Sequence, residues 1–307
     1  MSDIYDLAIL GGGPAGITAA IYASRARLNT IWIDKNFAPG GQITATYEVD
    51  NYPGFPGING FDLGMRFREH ADGLSCEFQE AEVLRVEENG DGYLVTTSRG
   101  ELKTKTIVAA MGAEHAKLNI PGEEELAGMG VSYCATCDGN FFRDKDVIVV
   151  GGGDSAVADV VYLCRIAQTV HLVHRREELK ASPWHAKQLK GIENLVVHWN
   201  CIVSDVLQEE GRVSGARLES VLTGETSTIR AQGIFVAIGT RPDTAWLDGI
   251  VELDESGYIV ADEGGATSVL GLFAAGDVRT TPLRQVVTAV SDGALAAEAA
   301  ASFLSSC

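Results

Sequence analysis

Apolar positions in this chain come in short blocks, several closed by glycine, and the pattern of blocks occurs twice. Residues 5–10 run apolar into Gly11-Gly12-Gly13-Pro14-Ala15-Gly16, followed by a small-residue stretch over 17–27 and a second apolar run over 30–33. Residues 146–150 run apolar into Gly151-Gly152-Gly153-Asp154-Ser155-Ala156, followed by 157–167 and the apolar run 169–173. Unbroken apolar runs of this length are the signature of strands covered on both faces, and the longer stretches between them are of helical length. Each copy therefore predicts strand, glycine turn, helix, strand.

The copies continue in parallel. The first has a strand over 82–88, the hairpin signal Asn89-Gly90, a strand over 93–97 and a closing run over 107–112 that ends at Gly112. The second has a strand over 195–207, a turn near Glu210-Gly211, a strand over 213–222 and a closing run over 233–239. Runs at 257–260 and 272–277 and an Ala-rich helix over 285–304 then return the chain to the first domain. The expected fold class is α/β, with two Rossmann-like dinucleotide-binding domains, each a three-layer β/β/α arrangement, the second inserted in the first. The expected boundaries are 1–114 with 245–307, and 115–244.

Both glycine turns fit G-x-G-x-x-G/A. The turn needs glycine for its tight path, for the approach of backbone to a pyrophosphate, and for close helix-to-strand packing, while the helix N-terminus offers N–H donors to the phosphates. The candidate residues are Gly11, Gly13, Pro14, Ala15 and Gly16 in the first copy and Gly153, Asp154 and Ser155 in the second. Two copies in the same strand-helix context are far more specific than one. Where the second strand ends, the first copy carries Asp34, whose carboxylate suits ribose hydroxyls and repels a phosphate, so FAD or NAD fits there. The equivalent residue in the second copy is His174, followed by Arg175, Arg176 and, one turn on, Lys180. Cations in place of the acid suit the 2′-phosphate of NADPH; the alternative is a solvated basic turn.

Charge and composition narrow the partners. Lys and Arg number 24 against 42 Asp and Glu, a net charge of −18, which repels nucleic acid and anionic lipid alike. No apolar stretch approaches the length of a membrane helix, and the acidic N-terminus does not resemble a signal peptide, so neither nucleic acid nor membrane is an expected partner and a cytoplasmic location is. In that compartment the six cysteines are not a disulfide framework. Cys76, Cys164 and Cys201 fit core positions, and the terminal Cys307 has no neighbouring thiol.

One pair stands apart. Cys134-Ala135-Thr136-Cys137 has the spacing of a redox dithiol, in which one thiol attacks a substrate disulfide and the other resolves the mixed disulfide. A zinc site would need a second ligand pair, and none is present in the sequence. Asp138, next in sequence, is placed to exchange a proton, or is a turn residue beside Gly139.

Cys134 to Gly139, placed just before the second glycine turn and His174-Arg175-Arg176, closely resembles the low-molecular-weight thioredoxin reductases of bacteria. Gly40-Gly41-Gln42 with Asn51-Tyr52-Pro53-Gly54 resembles the flavin-contacting loop of that family, and the run from Phe273 to Val278 with Arg284-Gln285 resembles its C-terminal FAD segment. The resemblance implies a homodimer with FAD in the first domain and NADPH in the second. Electrons would pass from NADPH to FAD, to the Cys134–Cys137 disulfide, and to thioredoxin. By the same resemblance Cys137 faces the flavin, Cys134 exchanges with the partner protein, Asp138 handles the proton, and Gly41, Gln42, Asn51, Gly112, Gly276, Asp277, Arg284 and Gln285 belong to the FAD site. The family usually has Arg where this chain has Lys180, which leaves open a related flavin dithiol oxidase, or a reductase using another donor.

Overall fold

A computed structural model describes residues 4–306 apart from 38, 39, 47, 75, 91 and 248. Two units emerge from it. One comprises 1–46, 52–114 and 241–307, and the other 47–51 with 115–240.

The first unit begins with β1 (Tyr5–Leu10), α1 (Pro14–Arg25), β2 (Thr30–Asp34), α2 (Gly60–Asp72) and β3 (Glu77–Glu80), followed by β4 (Val83–Asn89), β5 (Gly92–Thr97) and β6 (Gly100–Ala109). These strands lie in the order β3-β2-β1-β6-β5-β4. β3, β2, β1 and β6 are parallel neighbours, whereas β4 and β5 pair antiparallel, β5 on the early residues of β6. Alternation along β1 builds the layers. Leu7 and Ile9 face a core shared with α1, while Ala8 and Leu10 face a second core shared with Val86, Tyr93 and Val95 of the hairpin.

Short β7 (Ala113–His115) leads into the second unit. There follow β8 (Val131–Ser132), α3 (Ala135–Asp138), β9 (Asp146–Gly151), α4 (Asp154–Leu163), β10 (Thr169–His174), α5 (Pro183–Gln188), β11 (Leu195–Trp199), β12 (Cys201–Glu209), β13 (Arg212–Ser220), β14 (Thr226–Arg230) and β15 (Gly233–Ala237). A parallel sheet of order β11-β10-β9-β15-β8 carries α4 on one face and the antiparallel sheet β12-β13-β14 on the other. Again the period of two sorts the side chains: Val147 and Val149 pack with Val160 and Leu163 of α4, and Ile148 and Val150 with Val203, Val206 and Leu218.

The chain then forms β16 (Thr240–Pro242), which pairs with β7, and closes the first unit with β17 (Leu272–Ala274), parallel to β6, and α6 (Val286–Ser306). The expected α/β class, with its layers and its insertion, is what the chain adopts.

Two expectations need correction. The strand expected over 195–207 is two strands, because Asn200 takes φ 54° and turns the chain between β11 and β12. The run 257–260 makes isolated bridges through Ile259. The expectation that no segment reaches membrane-spanning length also fails, since α6 is long and apolar enough by length and composition. Its hydropathy is spread over alanines interrupted by Asp292 and Glu298, so no unbroken run advertises it. Ala289, Ala296, Ala297 and Ala300 bury into the core beside Ile17 and Ala20 of α1, the place of a packed core helix.

Candidate active site

The first glycine turn is built by contacts that exclude larger residues. Gly11 takes φ 118°, and a methyl at residue 16 would overlap the Gly11 carbonyl oxygen. Gly13 differs: a methyl there would meet nothing within 4 Å. It caps α1 without a side-chain hydrogen bond, and Pro14 occupies the first turn, so N–H groups of that turn face open space beside Gly13. The Gly12 N–H donates to Asp34 Oδ2 (2.5 Å) and the Asn36 N–H to Asp34 Oδ1 (2.7 Å), which holds the carboxylate beneath the turn with a lone pair left on each oxygen.

Other first-unit candidates gather at this turn. The Gly40 N–H donates to Gly12 O (2.8 Å), and a methyl on Gly41 would lie 3.1 Å from the Gly13 Cα. Gln42 Nε2 donates to the Ala113 carbonyl, beside Gly112. From the C-terminal segment, a methyl on Gly276 would lie 2.9 Å from the Ala15 side chain. Asp277, beside it, has its carboxyl pushed up to about 6 by burial, with Arg284 opposing the rise. Arg284 lies over the Tyr258 ring at 4.1 Å, and the Gln285 N–H donates to Thr288 Oγ1. Asn51 falls in the segment 47–51 that groups with the second unit.

The second turn repeats the design. Gly151 takes φ 157°, and Gly153 caps α4 without a side-chain hydrogen bond, again with open space where a methyl would stand. Asp154 Oδ1 accepts from the Ser182 N–H (2.8 Å) and meets His185 Nδ1 at 2.9 Å; the Ser182 bond is the larger cause of its lowered carboxyl pKa. Ser155 is exposed in the same helical turn. His174 is only 7% exposed. Its ring lies beneath Gly152 as Asp34 lies beneath Gly12, with Nε2 3.0 Å from Glu178 O. Of the four basic residues, His174 is thus an internal strut, whereas Arg175, Arg176 and Lys180 are exposed and line one open depression of about 590 Å³ with Asn200 and Leu222.

The dithiol sits at the start of α3. Cys134 and Cys137 form a disulfide, and Cys134 caps the helix, its Sγ accepting from the Cys137 N–H at 3.2 Å. Asp138 lies in the same turn, with burial raising its carboxyl pKa and a bond from Ser132 Oγ (2.6 Å) opposing the rise. Ser132 Oγ also accepts from the Cys134 N–H at 3.1 Å, so one buried hydroxyl orders both the cysteine and the acid. Among the other cysteines, Cys76, Cys164 and Cys201 are partly buried thiols packed at core margins, and Cys307 lies outside the described residues.

The comparisons with known proteins are specific. Residues 5–293 match the family profile described as pyridine nucleotide-disulphide oxidoreductase. The chain belongs to this family. It is 42% identical over 295 residues to a thioredoxin reductase of Bacillus subtilis, covering 96% of this chain and 93% of that one. It is also 42% identical over 305 residues to a thioredoxin reductase of Treponema pallidum, covering 99% and 98%. A crystal structure of thioredoxin reductase from Streptococcus pyogenes matches with a TM-score of 0.95 at 39% identity, covering 100% of each chain. Membership of the pyridine nucleotide-disulphide oxidoreductases makes the protein a flavoprotein oxidoreductase, with a flavin and a pyridine nucleotide as its cofactor classes.

Two polar residues absent from the sequence reading, Ser132 and Asp292, support these sites. Ser132 has no motif of its own; its position two residues before Cys134 is the only trace. Asp292 accepts from the Gly276 N–H and from Arg279 Nη1, both at 3.1 Å, and so ties α6 to the Gly276-Asp277 turn. Asp159 of α4 has its carboxyl pushed up to about 7 by burial, in a helix that otherwise reads as packing. Buried acids of this kind announce themselves only once the helix face that carries them is known.

Proposed function

We propose that this oxidoreductase reduces the disulfide of thioredoxin, with FAD held at the first glycine turn and NADPH at the second, and with Cys134 and Cys137 as the exchanging pair. The observation that carries the reading is the Cys134–Cys137 disulfide at the head of α3, in a chain with two uncapped helix N-termini behind glycine turns. When bound, the two cofactors supply a hydride and its relay to that disulfide. The open face at Gly13 and at Gly153 fits a pyrophosphate, since a side chain at either position would stand where the phosphates approach.

The residues then divide the work. In the disulfide form the Cys134 sulfur accepts the Cys137 N–H; kept after reduction, that bond would favour thiolate over thiol and make Cys134 the attacking group. Its attack on a thioredoxin disulfide forms a mixed disulfide and releases one partner sulfur as thiolate. Cys137 displaces the second and restores the Cys134–Cys137 bond. Asp138, its pKa raised toward neutrality, holds or returns the proton that this exchange needs. Arg175, Arg176 and Lys180 supply the positive charge for a 2′-phosphate, Lys180 as a point charge rather than a fork. The domain limits 1–114 with 245–307 for FAD and 115–244 for NADPH, the cytoplasmic homodimer, and the contacts of Gln42, Asn51, Asp277 and Gln285 with flavin belong to the same proposal.

Anaerobic titration with NADPH, followed by thioredoxin, tests it. The flavin absorbance bleaches on NADPH and recovers as thioredoxin thiols appear. Cys137→Ser retains bound flavin and loses turnover by at least about 1,000-fold. Flavin that stays oxidised under NADPH would point to a different electron donor.

A further inference from the structure

On the face of the second unit opposite α4, two imidazoles meet. His171 of β10 and His198 of the edge strand β11 approach with Nδ1 and Nε2 3.1 Å apart and ring centroids 5.3 Å apart. Alternation fixes the meeting: Val170 and Leu172 of β10, and Leu195 and Val197 of β11, turn to the α4 core, so His171 and His198 turn the other way. Both rings are half-buried.

We infer that His171 Nδ1 and His198 Nε2 form a two-histidine chelate for a late first-row divalent cation, with water completing the coordination. Two nitrogens 3.1 Å apart, each bound at about 2.0–2.1 Å, subtend an angle of about 95–100° at the ion. That lies between tetragonal and tetrahedral values and suits imidazole-seeking Ni²⁺, Cu²⁺ and Zn²⁺ rather than Mg²⁺ or Ca²⁺. In the metal-free protein the short approach is a hydrogen bond between the neutral rings. Binding needs a change of tautomer, with each ring keeping one proton on its other nitrogen so that no proton is lost, and a turn of the rings that brings both lone pairs onto the ion.

A second observation favours a cation here. Asp146 of β9 lies on the same sheet face, its charge acts on His171, and its Oδ1 is buried with no hydrogen-bond partner. Among the described residues no set of three metal-binding side chains converges on one point. Asp146 therefore contributes charge, or a contact through a bound water, rather than a third direct bond. The ion would clip the edge strand β11 to β10, whose last residue His174 packs edge-on against Trp199 at 6.2 Å.

Calorimetric titration of the untagged, oxidised full-length flavoprotein with Ni²⁺ tests the site, using the disulfide form to keep Cys134 and Cys137 out of the competition. One Ni²⁺ per chain is expected, with affinity reduced on the order of 100-fold in His171→Asn and in His198→Asn as chelation becomes single-point binding. Circular dichroism confirms that each variant is folded; His198→Asn, on the edge strand, tests the site by itself should His171→Asn fail to fold. Ni²⁺ should also raise the thermal midpoint of the wild type and leave that of His198→Asn unmoved. Absence of stoichiometric binding to the wild type, or wild-type affinity in His198→Asn, overturns the inference.

Discussion

Glycines that look alike in the first turn perform unlike tasks. Gly16 is a packing residue, because any side chain there overlaps the Gly11 carbonyl, whereas Gly13 faces open space at an unstrained φ of −78°. Gly16→Ala is expected to abolish soluble expression or to lower stability by more than about 3 kcal/mol. Gly13→Ala should leave the thermal midpoint of the cofactor-free protein within a few degrees while weakening flavin retention at least tenfold. Thermal unfolding and flavin release on dilution separate the two. Ser132 yields a third residue-scale expectation. Its hydroxyl donates to Asp138 and so favours the ionised carboxylate. Ser132→Ala removes that bond, raises the Asp138 pKa further, and moves the limb of the pH–rate profile that reports Asp138 to higher pH, at a stability cost of about 1 kcal/mol. The sign is fixed: a profile that moves to lower pH would remove Asp138 from proton transfer.

At the scale of elements, α6 closes the first unit by packing alanines on α1 and by sending Asp292 to the Gly276 turn. Arg279, 8% exposed, is fixed between Asp292 and the carbonyls of Ala261 and Asp262. Deleting one partner leaves a buried charge uncompensated. Asp292→Ala should therefore cost about 3–5 kcal/mol and release flavin on mild heating, measurable by the temperature at which flavin fluorescence rises. The glycine turns, their helices and the strands on either side were legible as elements because apolar periodicity and glycine placement are local properties. The split of 195–207 at Asn200 was not, since a positive φ leaves no periodic trace. His174 shows the same limit within one residue: its position matched Asp34, but only packing turned its ring under Gly152, leaving Arg175, Arg176 and Lys180 as the exposed cations.

For the whole molecule, the inserted unit begins and ends at one place. β7 pairs with β16, and the Ala116 N–H donates to Gly239 O at 2.9 Å, so the two chain crossings lie side by side. Each unit has its own cores on both faces of its own parallel sheet. Replacing 115–240 by a short glycine linker should leave a folded first unit that binds flavin, shown by circular dichroism and a bound flavin spectrum; loss of cooperative unfolding would show that the unit depends on the insertion. The sequence alone determined the repeat, the two glycine turns, the Cys134–Cys137 pair and the class of fold, because each is written in spacing and residue type along a short stretch of chain. Only the tertiary structure decided which polar groups serve those sites. Ser132 beneath Asp138, Asp292 beneath Gly276 and His198 against His171 meet through strand register and helix packing, which bring together residues that no local pattern connects.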